Sequence, residues 1–74
     1  MKDEKYRQAV ADGMILTCGC LLNNGTVTIG SVKFVLNEAN ITKKEWDQCD
    51  DETSKQIILA ASGGNLDFLI EEDY

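Results

Sequence analysis

Residues 14–36, MILTCGCLLNNGTVTIGSVKFVL, decide which fold the chain adopts. Asn24 and Gly25 separate two runs that are rich in apolar and β-branched residues. Asn-Gly between two such runs is typical of a β-hairpin, because both residues tolerate the positive φ angles of a type I′ turn. The stretch therefore predicts an antiparallel hairpin of strands 14–22 and 26–36.

A turn at Asn24-Gly25 also fixes which side chains share a face of the hairpin. Leu22 pairs with Val27, and side chains then alternate between the two faces along each strand. We expect the core to be formed by the apolar face, which comprises Met14, Leu16, Cys18, Cys20, Leu22, Val27, Ile29 and Val35.

Two glycines leave the details of the sheet open. The same register places Gly19 opposite Gly30, which indicates a bulge or a helix lying close to the sheet. The alternative is a tight turn at Gly30-Ser31, which predicts a three-stranded meander of 14–22, 26–29 and 32–36.

Helices are predicted on both sides of this stretch. Residues 3–12 form an N-terminal helix, because Tyr6, Ala9 and Val10 fall on one helical face, and Gly13 ends it. On the C-terminal side, residues 42–49 form a helix that begins with a capping box. The capping box consists of Thr42 and Glu45.

A further helix is expected from about residue 52 to residue 62, with Ile57, Ile58 and Ala61 facing inward. Gly63-Gly64 ends this helix. Residues 65–70, NLDFLI, alternate in a way that predicts a short strand, with a helical turn as the alternative. Leu66, Phe68 and Ile70 would share one face of that strand.

Together these elements predict an α+β fold in one small domain that spans residues 1–74. Its order is an N-terminal helix, an antiparallel hairpin or three-stranded meander, two short helices and a C-terminal strand. Residues 71–74 form an acidic tail that is open to fraying.

The three cysteines are expected to be reduced thiols. Their number is odd, which does not suit a disulfide framework. On a strand Cys18 and Cys20 point to one face, and free cysteines usually fill a core. A metal or redox site is the alternative, but the chain has no histidine, and only Cys49 with an aspartate could complete the ligand set. We therefore expect core filling, with no metal and no cofactor.

Charge is distributed unevenly along the chain, whose formal net charge is −6. Residues 1–46 carry six basic and five acidic side chains, whereas residues 47–74 carry eight acidic side chains and only Lys55. Phosphate binding requires clustered basic side chains, so nucleic acid is excluded as a direct ligand. A protein partner, and specifically a basic nucleic-acid-binding protein, fits the acidic half better.

The stretch WDQCDDE, residues 46–52, concentrates this acidity. Asp50 or Asp51 is expected to cap the helix that follows, while Trp46 packs onto the sheet. If the preceding helix continues, Asp47, Asp50 and Asp51 form one acidic patch at i, i+3 and i+4. The residues predicted to bind a partner are Asp47, Asp50, Asp51, Glu52, Glu71, Glu72 and Asp73.

Several function classes are disfavoured by the sequence. Without histidine there is no histidine-based acid–base or triad chemistry, and no glycine-rich phosphate motif is present, so an enzyme is not expected. The run MILTCGCLL is too short to cross a bilayer, and the mixed charges before it do not resemble a secretory signal, which predicts a cytoplasmic protein.

The leading hypothesis is therefore a small acidic protein-binding module. In its specific form, the module is an inhibitor from a mobile genetic element that blocks a nucleic-acid-binding protein through phosphate-like negative charge. The alternative is an assembly subunit that self-associates through a sheet edge or an apolar face.

Overall fold

A computed structural model of the chain describes residues 4–70. These residues form five helices, and none of them lies in a β-strand. The predicted α+β fold, with its hairpin or meander and its C-terminal strand, is therefore wrong. The helices are α1 (Glu4–Asn23), α2 (Ile29–Glu38), α3 (Lys43–Gln48), α4 (Glu52–Ala61) and α5 (Leu66–Leu69).

Helix α1 occupies both the predicted N-terminal helix and the first predicted strand. Ala11, Ile15 and Cys18 are buried at i, i+4 and i+7, which is the spacing of one helical face. Gly13 does not end the helix. It lies in the helix interior, where glycine costs about 1 kcal/mol relative to alanine, and burial of the opposite face offsets this cost.

The Asn24-Gly25 pair ends α1 instead of turning a hairpin. Gly25 has a φ of 74°, and its N–H donates to the carbonyl of Leu22 at 3.0 Å. The N–H of Thr26 donates to the carbonyl of Leu21 at 2.9 Å. These two hydrogen bonds define a Schellman motif, in which a left-handed residue satisfies the last carbonyls of a helix.

Helix α2 replaces the second predicted strand. Thr28 caps it by accepting a hydrogen bond from the backbone N–H of Ser31 at 3.2 Å. Gly30 and Ser31 thus lie in the first helical turn, and the predicted turn of the meander is wrong. Val32 and Leu36 are buried at i and i+4, and the ammonium of half-buried Lys33 lies 4.4 Å from the centre of the Phe68 ring.

The two predicted helices after residue 42 are confirmed. Thr42 and Glu45 form the reciprocal capping box of α3. Helix α4 ends with a second Schellman motif, since Gly63 and Gly64 have φ angles of 75° and 80° and the N–H of Gly64 reaches the carbonyl of Leu59.

The inward residues of α4 were predicted only in part. Ile58 is fully buried and Ile57 is partly buried, but Ala61 is exposed. Residues 66–69 take the helical alternative, with Asn65 as the N-cap of α5. As a result Phe68 is 40% exposed whereas Ile70 is buried, so these two residues do not share a face as predicted, and Leu69 is buried as well.

The five helices enclose one core around α1, which packs against α3 and α4, while α2 packs against α5. Trp46 lies in this core, at 3% exposure, and not against a sheet. Three residues of the predicted core face, Leu16, Cys20 and Val35, are exposed. The buried core consists of Ala11, Ile15, Cys18, Val32, Leu36, Ile41, Trp46, Cys49, Ile58, Leu69 and Ile70.

Among the described helices, none is both long enough and apolar enough to cross a membrane.

Candidate functional site

An open cavity of about 230 Å³ with an acidic rim lies between the α3–α4 connection and the middle of α1. Asp12 comes from α1, whereas Asp50 and Asp51 come from the connection. Gly13, Leu16 and Cys49 line the remainder. We call Asp12, Asp50 and Asp51 the acidic corner.

Asp51 is the N-cap of α4, which confirms the prediction that either Asp50 or Asp51 caps this helix. Its carboxylate accepts hydrogen bonds from the backbone N–H of Ser54 at 3.0 Å and from the Ser54 hydroxyl at 2.9 Å. A carboxylate at this position also interacts favourably with the positive end of the helix dipole. Asp51 therefore has a structural role, because both of its carboxylate oxygens accept hydrogen bonds from Ser54.

Lys55 is the only basic residue after position 46, and its charge is directed inward. Its side chain is only 8% exposed. The ammonium donates to the carbonyl of Trp46 at 3.3 Å and pairs with Glu52 at 3.1 Å. The one cation of this half therefore pairs with Glu52, and Asp47, Asp50 and Asp51 form no ion pair within residues 4–70.

Asp47 and Asp50 are exposed carboxylates. Within residues 4–70, neither side chain takes part in a hydrogen bond or an ion pair. They do not share a helical face with Asp51, because α3 ends at Gln48 and Cys49 has extended backbone angles. The predicted i, i+3, i+4 patch is thus wrong in geometry, and the residue that joins Asp50 and Asp51 is Asp12.

Sequence reasoning missed Asp12 because the first helix was predicted to stop there. Its carboxylate accepts a hydrogen bond from Gln8 Nε2 at 2.8 Å, and the same amide donates to the carbonyl of Glu45 at 2.9 Å. Gln8 thus ties α1 to α3 and holds Asp12 near the connection. The signal in the sequence was the i, i+4 spacing of Gln8 and Asp12.

The three thiols have different environments. Burial raises the pKa of Cys18, and burial is also the main reason why the pKa of Cys49 is raised. The nearby carboxylate of Asp12 raises the pKa of Cys49 further. Cys20 is exposed on the opposite side of α1 from Cys18, so the prediction that both thiols fill the core is wrong.

We expect the cysteines to react with a thiol reagent in two classes. Cys20 should be modified at once, whereas Cys18 and Cys49 should react only after unfolding, because burial blocks access and disfavours the reactive thiolate. Mass spectrometry of peptides after timed alkylation, with and without urea, measures this. Modification of Cys49 as fast as Cys20 in the folded protein would contradict the described packing.

In the described part of the chain, no group of three or more cysteine or acidic side chains is placed to hold a metal ion. Three of the predicted partner-binding acids, Glu71, Glu72 and Asp73, lie outside the described residues. Comparison of the chain with protein-family models, with curated proteins and with solved structures found no match.

Proposed function

We propose that the chain is a small protein-binding module whose acidic surface binds a basic surface of a partner protein. In its specific form the partner is a nucleic-acid-binding protein, which the module inhibits by occupying the site for phosphates. We propose further that this inhibitor acts in the cytoplasm and is carried by a mobile genetic element.

The observation that carries this proposal is the direction of the charges around the α3–α4 connection. Lys55 is buried and paired with Glu52, while Asp47 and Asp50 are exposed without a side-chain partner among residues 4–70. Asp12 and Asp51 add negative charge beside Asp50 at the cavity, which Asp47 does not line. Within residues 4–70, the surface therefore presents Asp47 and Asp50 as carboxylates with which no cation forms an ion pair.

Such a surface acts mainly through long-range attraction. Clustered charges of one sign raise the rate at which an oppositely charged partner associates, and this effect weakens with salt. Carboxylates that make no bonds in the free protein have none to lose on binding, which favours Asp47 and Asp50 over Asp51 as direct contacts.

We expect replacement of both Asp47 and Asp50 by lysine to weaken partner binding by about tenfold or more, equivalent to about 1.4 kcal/mol. Affinity capture from a host lysate tests this at about 0.1 M salt, where charges act over about 10 Å, and at about 1 M, where they act over about 3 Å. Captured proteins are then assayed for nucleic-acid binding with and without the module.

The matched control is the double replacement of Glu4 and Glu38 by lysine. Both are exposed glutamates that do not line the acidic cavity, and their reversal changes the net charge by the same amount. The proposal predicts that this control keeps the partner. Equal loss with both variants would assign binding to net charge alone, and retention by the Asp47 and Asp50 variant in high salt would refute the proposal.

A further inference from the structure

Residues 13–32, GMILTCGCLLNNGTVTIGSV, carry no charged side chain, and the chain has no proline. Asp12 and Lys33 are the charged residues on either side of this stretch, which we call the charge-free segment. Charged side chains and proline are the residues with which proteins prevent apolar segments from pairing as β-strands between molecules. The charge-free segment has neither kind of residue.

The helical structure of this segment depends on packing more than on local preference. Gly13 and Gly19 lie inside α1, Gly30 lies in the first turn of α2, and glycine is a poor helix former. The β-branched residues that join the two helices favour strands. Burial of Ile15 and Val32 in the core stabilises both helices. The segment should therefore lose its helices when α1 separates from α4, against which it packs.

The folded helices also leave apolar side chains of this segment at the surface. Leu16 is 48% exposed, and Cys20 is exposed, whereas Cys18 between them is buried. On an extended strand the side chains at i, i+2 and i+4 lie on one face, so these three side chains would come together. Pairing of extended strands thus buries side chains that the helix leaves in water.

A second copy of the chain is the partner that the charge-free segment fits. Stacked strands of identical sequence place identical side chains next to each other, which favours apolar residues and opposes charged ones. Copies can stack residues 13–32 without placing like charges side by side. Residues 47–74, which carry eight acidic side chains and one basic side chain, would repel their own copies in the same arrangement.

We propose that the charge-free segment is a self-association site of the opened chain, in which segments from several copies pair as β-strands of one intermolecular sheet. In the folded protein most of the segment is helical, and its helical backbone offers no strand edge to another copy. The packing of α1 on α4 therefore controls this association. The proposal does not depend on partner binding at the acidic corner.

Thioflavin T fluorescence and far-UV circular dichroism of the full chain, with the thiols kept reduced, test the proposal. Each protein is incubated at the temperature at which half of its molecules are unfolded, so differences in stability do not affect the comparison. The wild-type chain should convert into β-sheet fibres after a lag. The double variant Leu16→Lys, Cys20→Lys should lengthen the lag at least about tenfold, because charge within such a segment opposes stacking.

Both substituted positions are exposed in α1, so the double variant should keep the helical fold, which circular dichroism below the transition checks. The matched control is Ala60→Lys, Ala61→Lys. It adds the same charge at two exposed positions of α4, outside the charge-free segment, and should keep the wild-type lag.

Three results would overturn the proposal. The first is a wild-type chain that forms no β-sheet at its midpoint temperature. The second is an equal lag for the double variant and its control, which would assign the effect to net charge. The third is a fibre whose protected core, mapped by hydrogen exchange, excludes residues 13–32.

Discussion

Replacement of Trp46 by alanine is expected to lower the free energy of unfolding by about 3–5 kcal/mol. Trp46 is the only tryptophan, is 3% exposed and belongs to the single core. Its removal leaves a cavity next to the α3–α4 connection, and a domain of this size has only a few kcal/mol to lose. Urea unfolding followed by far-UV circular dichroism measures the change.

Because the alanine variant is expected to be close to unfolding, Trp46→Phe provides a second measurement. It retains most of the apolar contact and should lose about 1–3 kcal/mol. Tyr6→Ala is the control, since Tyr6 is 70% exposed and its removal should change stability by less than about 0.5 kcal/mol. A loss for Trp46→Ala as small as that for Tyr6→Ala would show that Trp46 is not in the core.

The error in fold class came from one stretch in which two patterns coexist. Residues 14–22 are apolar at nearly every position, so they satisfy the alternation of a strand and the spacing of a helix equally well. What decided between them was the continuation toward the N-terminus, where Ala11 extends the helical face of Ile15 and Cys18. Gly13 hid this continuation because it was taken as a stop.

The Asn-Gly signal was also ambiguous for a physical reason. A type I′ turn and a Schellman motif both need a residue with positive φ, and Gly25 provides it in either structure. Asn40, which has a φ of 58°, ends α2 in the same way, since Ile41 N–H donates to the carbonyl of Leu36. At Asn24-Gly25 the local sequence therefore marked the end of an element correctly but not the type of that element.

Where local chemistry alone determines the structure, the prediction held. The capping box at Thr42 and the cap of α4 depend on residues within one helical turn, and both are present. The acidic corner was only half predicted, because Asp12 reaches Asp50 and Asp51 through the packing of α1 on the rest of the chain. Contacts of that range follow from the fold and not from spacing.

Gly19→Ala should destabilise the protein by about 2–3 kcal/mol, although alanine is the better helix former by about 1 kcal/mol. Gly19 is buried where α1 crosses α4, and an added Cβ would lie 2.8 Å from Cβ and 2.9 Å from Cα of Ser54. Since the obstacle includes backbone, α4 itself must move. Thermal unfolding measures the effect, with about 4–8 °C expected per kcal/mol.

The same substitution at Gly30 should have the opposite sign. A Cβ there would lie 3.7 Å from the hydroxyl of Thr28, an ordinary contact, so Gly30→Ala should gain about 0.5–1 kcal/mol.

Ser54→Gly in the Gly19→Ala background should recover part of the loss, because it removes the nearest atom, whereas Ser54→Ala keeps that atom and should not. If Gly19→Ala were as stable as Gly30→Ala, α1 and α4 would not be in contact at this point. The shift of α4 that Gly19→Ala forces also affects the acidic corner, because Ser54 donates both hydrogen bonds that hold the carboxylate of Asp51.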